Sequence, residues 1–319
     1  MPPDFPMVSV IVLTYNHSAY IRQALDSILE QETTFDYEIL VGDDASTDGT
    51  QEILNKYAEQ YPGRFRLFLR EKNLGASRNA YELLTVARGK YLATCEGDDY
   101  WTDREKLEIQ VEFLESHSQF IGCTHPFLIV DEFGNPLKKQ HLNWVKNKKI
   151  FKLIDFQGLY LPGQPATFVR RNIFLNSHTD YSDIYKINPM IADRTLIMLF
   201  LCQGDFYRVD RNMSCYRRVF NKNHSITSKL YQNNINRIEM DYDLNCKLEE
   251  YAKDKLKQPL RFERRRKALF ADALIFFLKN RSRSSWNLTK KILKDGKKTF
   301  QYIGSFPYFI GKKVFEKFR

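Results

Sequence analysis

Two short acidic clusters follow predicted strands in the N-terminal third of the chain. Residues 43–44 are Asp-Asp, and residues 96–99 are Glu-Gly-Asp-Asp. Glu96 and Asp98 stand two residues apart in extended geometry, and Gly97 between them lets a ligand approach the backbone closely. Carboxylates crowded at one sheet edge repel each other unless a hard cation or the hydrogen-bond donors of a ligand hold them. An oxygen-only cluster of this kind suits Mg²⁺ or Mn²⁺, with open positions for phosphate oxygens.

Each cluster also has a structural interpretation, which is favoured when that cluster is taken alone. An acidic turn at 96–98 can cap the helix predicted to begin near Asp103. Asp43 and Asp44 can likewise form a turn and cap the helix that follows them. The sequence has no GxGxxG after its first predicted strand and no GxxxxGK[ST], the two common nucleotide fingerprints of such sheets. The joint pattern of polar segments must therefore decide between the interpretations.

Four strand and helix pairs in the first 120 residues are expected to bring these segments together. The predicted strands are residues 8–13, 38–42, 65–69 and 91–95, and an amphipathic helix follows each of them. This alternation is typical of an α/β domain with a mostly parallel sheet. In such a sheet, ligands bind beyond the carboxyl ends of the strands, where residues 14–16, Arg70 and the acidic clusters are expected to converge.

Four blocks of the sequence resemble the family 2 glycosyltransferases of GT-A fold. In family order they are VSVIVLTYN at 8–16, GDDASTDGT at 42–50, NLGASRN at 73–79, and GKY at 89–91 leading to EGDD at 96–99. The resemblance covers residues 7–120, can be traced to about 226 and does not cover the tail. It implies an α/β fold of GT-A type (Rossmann-like), a mostly parallel sheet flanked by helices. From about residue 236 onward the apolar periodicity and the lysines of the sequence itself indicate a helical, basic C-terminal extension. The implied division is a nucleotide-sugar-binding half at 1–120, an acceptor-binding half at 121–235 and the extension at 236–319.

The resemblance also implies which residues bind the nucleotide. The residues that would frame it are Thr14, Tyr15 and Asn16. One of Asp43 or Asp44 would accept a hydrogen bond from the base, which in the family is commonly uracil. Arg78 would contact the nucleotide or its diphosphate, although a solvated helix position is the structural alternative for it.

The metal motif of the family falls on residues 96–98, where this chain has Glu at the first position. Asp98 is the expected ligand of Mg²⁺ or Mn²⁺, and Asp99 is assigned to the same metal site. Glu96 and Gly97 are assigned to substrate binding. It stays open whether Glu96 contacts the metal, contacts the sugar or acts through water, and whether Asp99 shares the metal.

The catalytic base implied by the resemblance is Asp193, in a block that opens a helix beneath the acceptor site. The family often has Glu-Asp or Gly-Asp here, so Ala192 is a departure, and the structural alternative is that Asp193 only caps the helix. Asp183 and Asp180 are the other candidates. The block 213–218 looks like the closing strand of the family, whose arginines, together with His224, could reach the diphosphate.

The cysteines and the apolar segments indicate the compartment. Five cysteines are widely spaced, odd in number and free of any CxxC pair, which argues against a disulfide framework or a zinc site and predicts a reducing environment. The N-terminus lacks the apolar core of a signal peptide. The longest apolar stretch, residues 268–278, is well below the roughly 20 residues that span a membrane. We therefore expect a cytoplasmic protein without a transmembrane segment.

The positive charge of the chain is concentrated in its tail. Residues 247–319 contain 21 Lys and Arg against 7 Asp and Glu, and this excess of 14 is larger than the net charge of +10 of the whole chain. Aromatic residues are interleaved with the cations: Trp286, Phe300, Tyr302, Phe306, Tyr308, Phe309, Phe315 and Phe318. This mixture favours an anionic membrane surface over nucleic acid, for which no binding motif is present, while a solvated basic face is the simpler alternative. The expected location is the inner face of the membrane.

The sequence therefore predicts a glycosyltransferase that moves a sugar from a nucleoside diphosphate donor, expected to be a UDP-sugar, by an inverting single displacement. The acceptor would be a saccharide or a lipid-linked saccharide in cell-surface polysaccharide or glycan synthesis. The alternative is a non-catalytic module that holds a nucleotide sugar and binds membrane or RNA through its tail.

Overall fold

The computed structural model describes residues 5–175, 177, 179–219 and 234–295. His224 and the aromatic residues predicted to contact membrane beyond position 295 lie outside these residues. The chain divides into two compact units, which are described separately. The first comprises Met1–Phe156 and Tyr160–Phe220, and the second comprises Gln157–Leu159 and Asn221–Arg319.

The first unit alternates strands and helices up to residue 124 and becomes less regular afterwards. Its elements begin with β1 (Val8–Thr14), α1 (Ile21–Leu29), β2 (Tyr37–Asp43), α2 (Thr50–Gln60), β3 (Phe65–Leu69), α3 (Ala76–Val86), β4 (Tyr91–Glu96), β5 (Tyr100–Trp101), α4 (Lys106–Ser116) and β6 (Phe120–Thr124). They continue with β7 (Leu128–Val130), β8 (Ile150–Phe151), α5 (Leu153–Phe156), a 3₁₀ helix (Pro165–Thr167), β9 (Val169–Arg171), α6 (Ile184–Ile187), α7 (Ala192–Leu201), β10 (Asp205–Arg208) and β11 (Ser214–Arg217).

Eight of these strands form one mixed sheet in the order β3-β2-β1-β4-β9-β6-β10-β8. The strands β1 to β4 are parallel, β9 runs antiparallel between β4 and β6, and β8 is antiparallel to β10 at the edge. A second sheet has the order β5-β11-β7. The predicted α/β fold with a mostly parallel sheet flanked by helices is confirmed. Because the large sheet continues through β9 and β6, both predicted halves share it, and the functional division at residues 120 and 235 stays a prediction.

The core of the first unit explains why its N-terminal elements form. The strand β1 has an apolar sequence because helices cover both faces of a parallel sheet. The helix α1 buries Ile21, Ala24, Leu25 and Ile28, whose spacing places them on one face. Fully burying each Leu or Ile side chain of this kind contributes about 1.5–3 kcal/mol.

The strand register brings the predicted functional segments to one sheet edge. Thr14 pairs with Asp43 across β1 and β2, and Leu13 pairs with Glu96 across β1 and β4. The chain beyond each strand is tied to the same edge, since the amide of Gly97 donates to the carbonyl of Leu13 at 2.8 Å. The predicted convergence is therefore present in the fold.

The second unit contains three helices among its described residues: α8 (Asn234–Asp254), α9 (Glu263–Asn280) and α10 (Arg283–Asp295). They share an apolar core, which includes Tyr242 from α8, Phe270 from α9, and Leu288 and Ile292 from α10. The predicted helical character of the extension is confirmed for these residues. Within the described ranges, no helix has the length and apolar character needed to cross a membrane.

Candidate active site

Glu96, Asp98 and Asp99 form an acidic triad at the end of β4. One carboxylate oxygen from each lies within 4.8 Å of the others. The segment 96–99, which we call the metal loop, is a tight turn in which the amide of Asp99 donates to the carbonyl of Glu96 at 3.0 Å. Asp99 is buried, whereas Glu96 and Asp98 are half-buried.

Burial and mutual repulsion perturb the triad. Burial, together with the neighbouring carboxylates of Asp98 and Asp193, raises the pKa of Glu96 to about 8. Burial together with Asp98 and Glu96 also raises the pKa of Asp99. The second carboxylate oxygen of Asp99, Oδ2, is buried without a hydrogen-bond partner. Three oxygen ligands and an unsatisfied acceptor at this site fit a hard divalent cation.

Gly97 is required by the close approach of the metal loop to β1. A β-carbon on Gly97 would lie 2.9 Å from Cβ of Thr14 and 2.8 Å from Nδ1 of His17. Both Oγ1 of Thr14 and Nδ1 of His17 are buried without a hydrogen-bond partner. The imidazole Nε2 of His17 also lies 3.9 Å from Oδ2 of Asp98. His17 was not predicted as a site residue, although it directly follows the first sequence block.

The segment after β1 supports the neighbouring loop. Asn16 has a left-handed φ of 56°, a conformation that Asn tolerates better than most residues. Its amide donates to Oγ of Ser46, and its Oδ1 accepts from the amide of Thr47, both at 2.8 Å. Thr14 is buried and Tyr15 is exposed. Asn16 therefore shapes the loop at this edge, and the predicted nucleotide contacts of all three residues stay predictions.

The carboxylates of Asp43 and Asp44 already have partners within the protein. Asp43 accepts from the amide of Ser46 at 2.9 Å and from Nε2 of Gln51 at 2.6 Å. Asp44 accepts from the amides of Leu74 and Gly75 at 2.6 and 3.0 Å. Burial raises the pKa of Asp44, and these amide hydrogen bonds oppose the rise. Both carboxylates organise loops, but neither caps the helix α2, whose N-cap residue is Gly49. Base recognition by either one stays a prediction.

Arg78 lies on the first turn of α3 and faces solvent, with 47% of its side chain exposed. Its Nε donates to Oε1 of Glu82 at 2.8 Å, and Arg70 pairs with the other oxygen of that carboxylate at 2.9 Å. The described contacts of Arg78 are those of a solvated helix residue. Its predicted contact with the diphosphate stays a prediction.

Asp193 lies inside the first turn of α7. Ile191 occupies the N-cap position, so the alternative that Asp193 is the cap residue is wrong. Its Oδ1 accepts from the amide of Arg194 at 2.7 Å, and burial raises its pKa. The carboxylate of Asp193 contributes to the raised pKa of Glu96, so the two groups lie within electrostatic range of each other.

The other candidates for the base have local partners. Asp183 pairs with Lys186 at 2.7 Å, and Asp180 accepts from the amide of Ser182 at 2.8 Å.

Arg217 occupies a different position from the one expected. It is only 4% exposed, and its Nε donates to the carbonyl of Asp98 at 2.8 Å. The guanidinium thus donates a hydrogen bond to the main chain of the metal loop, whereas the sequence suggested that it could reach a diphosphate. No local sequence signal reveals this contact, because 119 residues separate its partners.

Comparison with known proteins identifies the family. A family model described as glycosyl transferase family 2 matches residues 9–176. The chain belongs to this family. An uncharacterized protein of Mycobacterium tuberculosis is 36% identical over 213 residues, which cover 66% of this chain and 58% of the relative. TuaG of Bacillus subtilis, described as a putative teichuronic acid biosynthesis glycosyltransferase, is 37% identical over 134 residues, or 42% of this chain and 52% of TuaG.

The family 2 chain therefore spans between half and three fifths of the length of these curated relatives. Among solved structures, S. aureus TarS 1-349 in complex with UDP-GlcNAc has a similar fold, with a TM-score of 0.59. The aligned region covers 90% of this chain and 80% of the TarS chain. The two sequences are 18% identical, so this likeness concerns the fold. The predicted family and the predicted GT-A type architecture are both confirmed.

Proposed function

We propose that this chain transfers a sugar from a UDP-sugar to a saccharide or lipid-linked saccharide acceptor in cell-surface polysaccharide synthesis. The observation that carries the proposal is the acidic triad at the carboxyl edge of the parallel sheet, with Asp193 within electrostatic range of Glu96. Family membership, the UDP-GlcNAc complex of TarS and the teichuronic acid role in the name of TuaG support it.

Asp98 and Asp99 would hold Mg²⁺ or Mn²⁺, since their carboxylates provide the oxygen ligands that these cations prefer. When bound, the cation offsets the charge that develops on the departing diphosphate. Glu96 belongs to the same cluster, and the carboxylate of Asp98 is one of the causes that raise its pKa. Thr14 and the metal loop meet so closely at Gly97 that the backbone there can approach a ligand without an intervening side chain.

Asp193 would act as the general base. Its carboxylate takes the proton of the acceptor hydroxyl while that oxygen forms a bond to the anomeric carbon. The bond from this carbon to the diphosphate oxygen breaks in the same step, so the configuration inverts and the nucleoside diphosphate leaves. Because burial raises the pKa of Asp193, its carboxylate is a stronger base than an exposed one, and general base action is typically worth ~10²- to 10⁴-fold.

Release of UDP from a panel of UDP-sugars, measured with Mn²⁺ and without an acceptor, tests this function. A catalytic site should hydrolyse at least one donor slowly, and Asp98→Asn should abolish the release. The protein would be a non-catalytic module if a UDP-sugar bound tightly but no UDP was released under any condition.

We also propose that the second unit attaches the protein to the anionic inner face of a membrane. Residues 273–294 contain six Lys or Arg and no Asp or Glu. The only exposed large apolar side chains among the described residues of this unit, Leu278 and Trp286, lie in the same segment. The residues of this surface, called the basic corner, are Leu278, Lys279, Arg281, Arg283, Trp286, Lys290, Lys291 and Lys294.

The helix α10 presents this surface by its amphipathic sequence. Leu288 and Ile292 are buried on one face, whereas Trp286 and Lys290 lie one turn apart on the exposed face. The ring of Trp286 packs 4.9 Å from that of Phe277, and Nζ of Lys290 lies 5.5 Å from the Trp286 centroid. An aromatic ring between cations suits the boundary of a bilayer, where each Lys or Arg contributes ~1 kcal/mol near an anionic surface.

Flotation with phosphatidylcholine vesicles, with and without phosphatidylglycerol, tests this attachment. We expect binding only to the anionic vesicles, weakened by salt, and we expect Lys290→Glu with Lys294→Glu to abolish it. Lys253→Glu with Lys255→Glu, at the C-terminal end of α8, changes the net charge equally and should leave most of the binding. Equal loss in both double variants would mean that diffuse charge acts instead of the basic corner, and binding to RNA but not to vesicles would assign the charge to nucleic acid.

A further inference from the structure

Arg217 is a buried cation that contacts the metal loop, and the transfer mechanism assigns it no step. Its guanidinium makes hydrogen bonds in three directions. Nε donates to the carbonyl of Asp98 at 2.8 Å, Nη1 donates to the carbonyl of Glu132 at 3.0 Å, and Nη2 donates to Oε1 of Gln23 at 2.5 Å. One side chain therefore joins the metal loop, the turn after β7 and the helix α1.

The position of Arg217 follows from the small sheet. The strand β11 lies between β5 and β7, and Cys215 pairs with Tyr100, the residue that directly follows the metal loop. Where this antiparallel ladder ends, the amide of Arg217 donates to Oδ1 of Asp99 at 2.8 Å. Both the main chain and the side chain of Arg217 thus hold the loop, one through the carboxylate of Asp99 and the other through the backbone of Asp98.

Aromatic rings restrict the guanidinium further. Its central carbon lies 4.8 Å from the ring centroid of Tyr20 and 5.3 Å from that of Tyr100. The planar guanidinium offers donors in fixed directions, whereas the ammonium of Lys is a point charge on a flexible stem. A lysine at this position would preserve the charge but could not reproduce the three-way contact.

We propose that Arg217 is a positioning residue that holds the carboxylates of Asp98 and Asp99 in the geometry for a divalent cation and couples the metal loop to the turn at Glu132. The inference rests on the proposed function, since it requires that the triad binds a cation. Coupling of this kind links the nucleotide-binding edge of the sheet to a segment of the predicted acceptor-binding half. A change in that half would then alter cation binding through Arg217.

The charge and the geometry of Arg217 have opposite effects on cation binding. A positive charge near the site repels a divalent cation, so its removal alone would strengthen binding. Loss of the contacts to Asp98 and Glu132 would loosen the ligands and weaken binding. The sign of the change in Mn²⁺ affinity therefore separates a positioning role from a purely electrostatic one.

The test is calorimetric titration of the full chain with Mn²⁺ alone. We expect Arg217→Met and Arg217→Lys to bind Mn²⁺ about tenfold more weakly, in the range seen when residues supporting metal ligands are removed. Arg22→Met removes an equal charge from the exposed residue beside Gln23 and should leave the affinity within about twofold, because it changes no contact of the metal loop. Melting temperatures measured on the same samples separate loss of the site from loss of the fold.

Gln23→Ala provides a second variant in case Arg217 variants fail to fold. Gln23 is exposed on α1, so its truncation should preserve the fold while releasing one anchor of the guanidinium, and we expect Mn²⁺ binding to weaken several-fold. Folded Arg217 variants with unchanged or tighter Mn²⁺ binding would overturn the inference. Unchanged binding in Gln23→Ala, where the Arg217 variants do not fold, would overturn it as well. If the wild-type chain itself binds no Mn²⁺, the proposed metal site fails, which is a distinct result.

Discussion

Gly97→Ala should disable the metal loop through a single methyl group. The added carbon would lie 2.9 Å from Cβ of Thr14, and two non-bonded carbons prefer about 3.5–4.0 Å, so one side must move by about 0.6–1.1 Å. Thr14 is buried at the end of β1 and pairs with Asp43 of β2, so the displacement falls on the loop. Metal ligands tolerate deviations of only about 0.2 Å, which is smaller than the required shift.

We expect Gly97→Ala to lower the stability by about 1–3 kcal/mol, the usual cost of overpacking, and to weaken Mn²⁺ binding at least tenfold. The assays are thermal unfolding and Mn²⁺ titration. Gly63→Ala is the control, since Gly63 has φ +79° but no atom within 4 Å of its added carbon. The control should lose about 1–2 kcal/mol of stability through backbone strain and retain its Mn²⁺ affinity. Wild-type stability and wild-type Mn²⁺ affinity in Gly97→Ala would refute the steric argument.

Two further variants test the base and a buried lysine. Asp193→Asn should lower turnover by about 10²- to 10⁴-fold in steady-state kinetics while UDP binding persists, and Asp183→Asn should change neither; the opposite pattern would move the base to Asp183. Burial lowers the pKa of Lys106 to about 7. Between this value and the usual value near 10.5, the unfolded chain binds the extra proton, so wild-type stability should rise with pH. Urea unfolding at several pH values should show that any stability advantage of Lys106→Met over the wild type shrinks from pH 7 towards pH 9. A difference in stability that stays constant over this range would contradict the lowered pKa of Lys106.

The parts of the fold that the sequence predicts are those built from local patterns. The strands β1 to β4 and their helices follow from apolar periodicity, and the parallel connection then brings residues 14–16 and the metal loop to one edge. The insertion of β9 between β4 and β6 has no such local signal, because Tyr91 pairs with Arg171, which lies 80 residues away in the sequence. Pairings of this kind depend on tertiary packing.

The candidate site shows the same division. The acidic triad was predicted because three carboxylates lie within four residues, and close packing at Gly97 agrees with the glycine between them. The Asp43 and Asp44 carboxylates accept hydrogen bonds from amides and side chains whose positions depend on loop conformation. Such contacts cannot be predicted from local sequence patterns. The family resemblance implied that the arginines of the block 213–218 could reach the diphosphate, and only the fold shows that the guanidinium of Arg217 is buried against the metal loop.

The central claim is that the triad binds a nucleoside diphosphate through a divalent cation held by Asp98. It is tested most directly by the thermal shift of the chain with UDP, with and without Mn²⁺, in the wild type and in Asp98→Asn. A ligand at a hundred times its dissociation constant stabilises the native state by about 2.7 kcal/mol, so the wild type should show a clear shift when UDP and Mn²⁺ are both present. The shift should be lost without Mn²⁺ and in Asp98→Asn, and an equal shift by UDP in all of these conditions would contradict the claim.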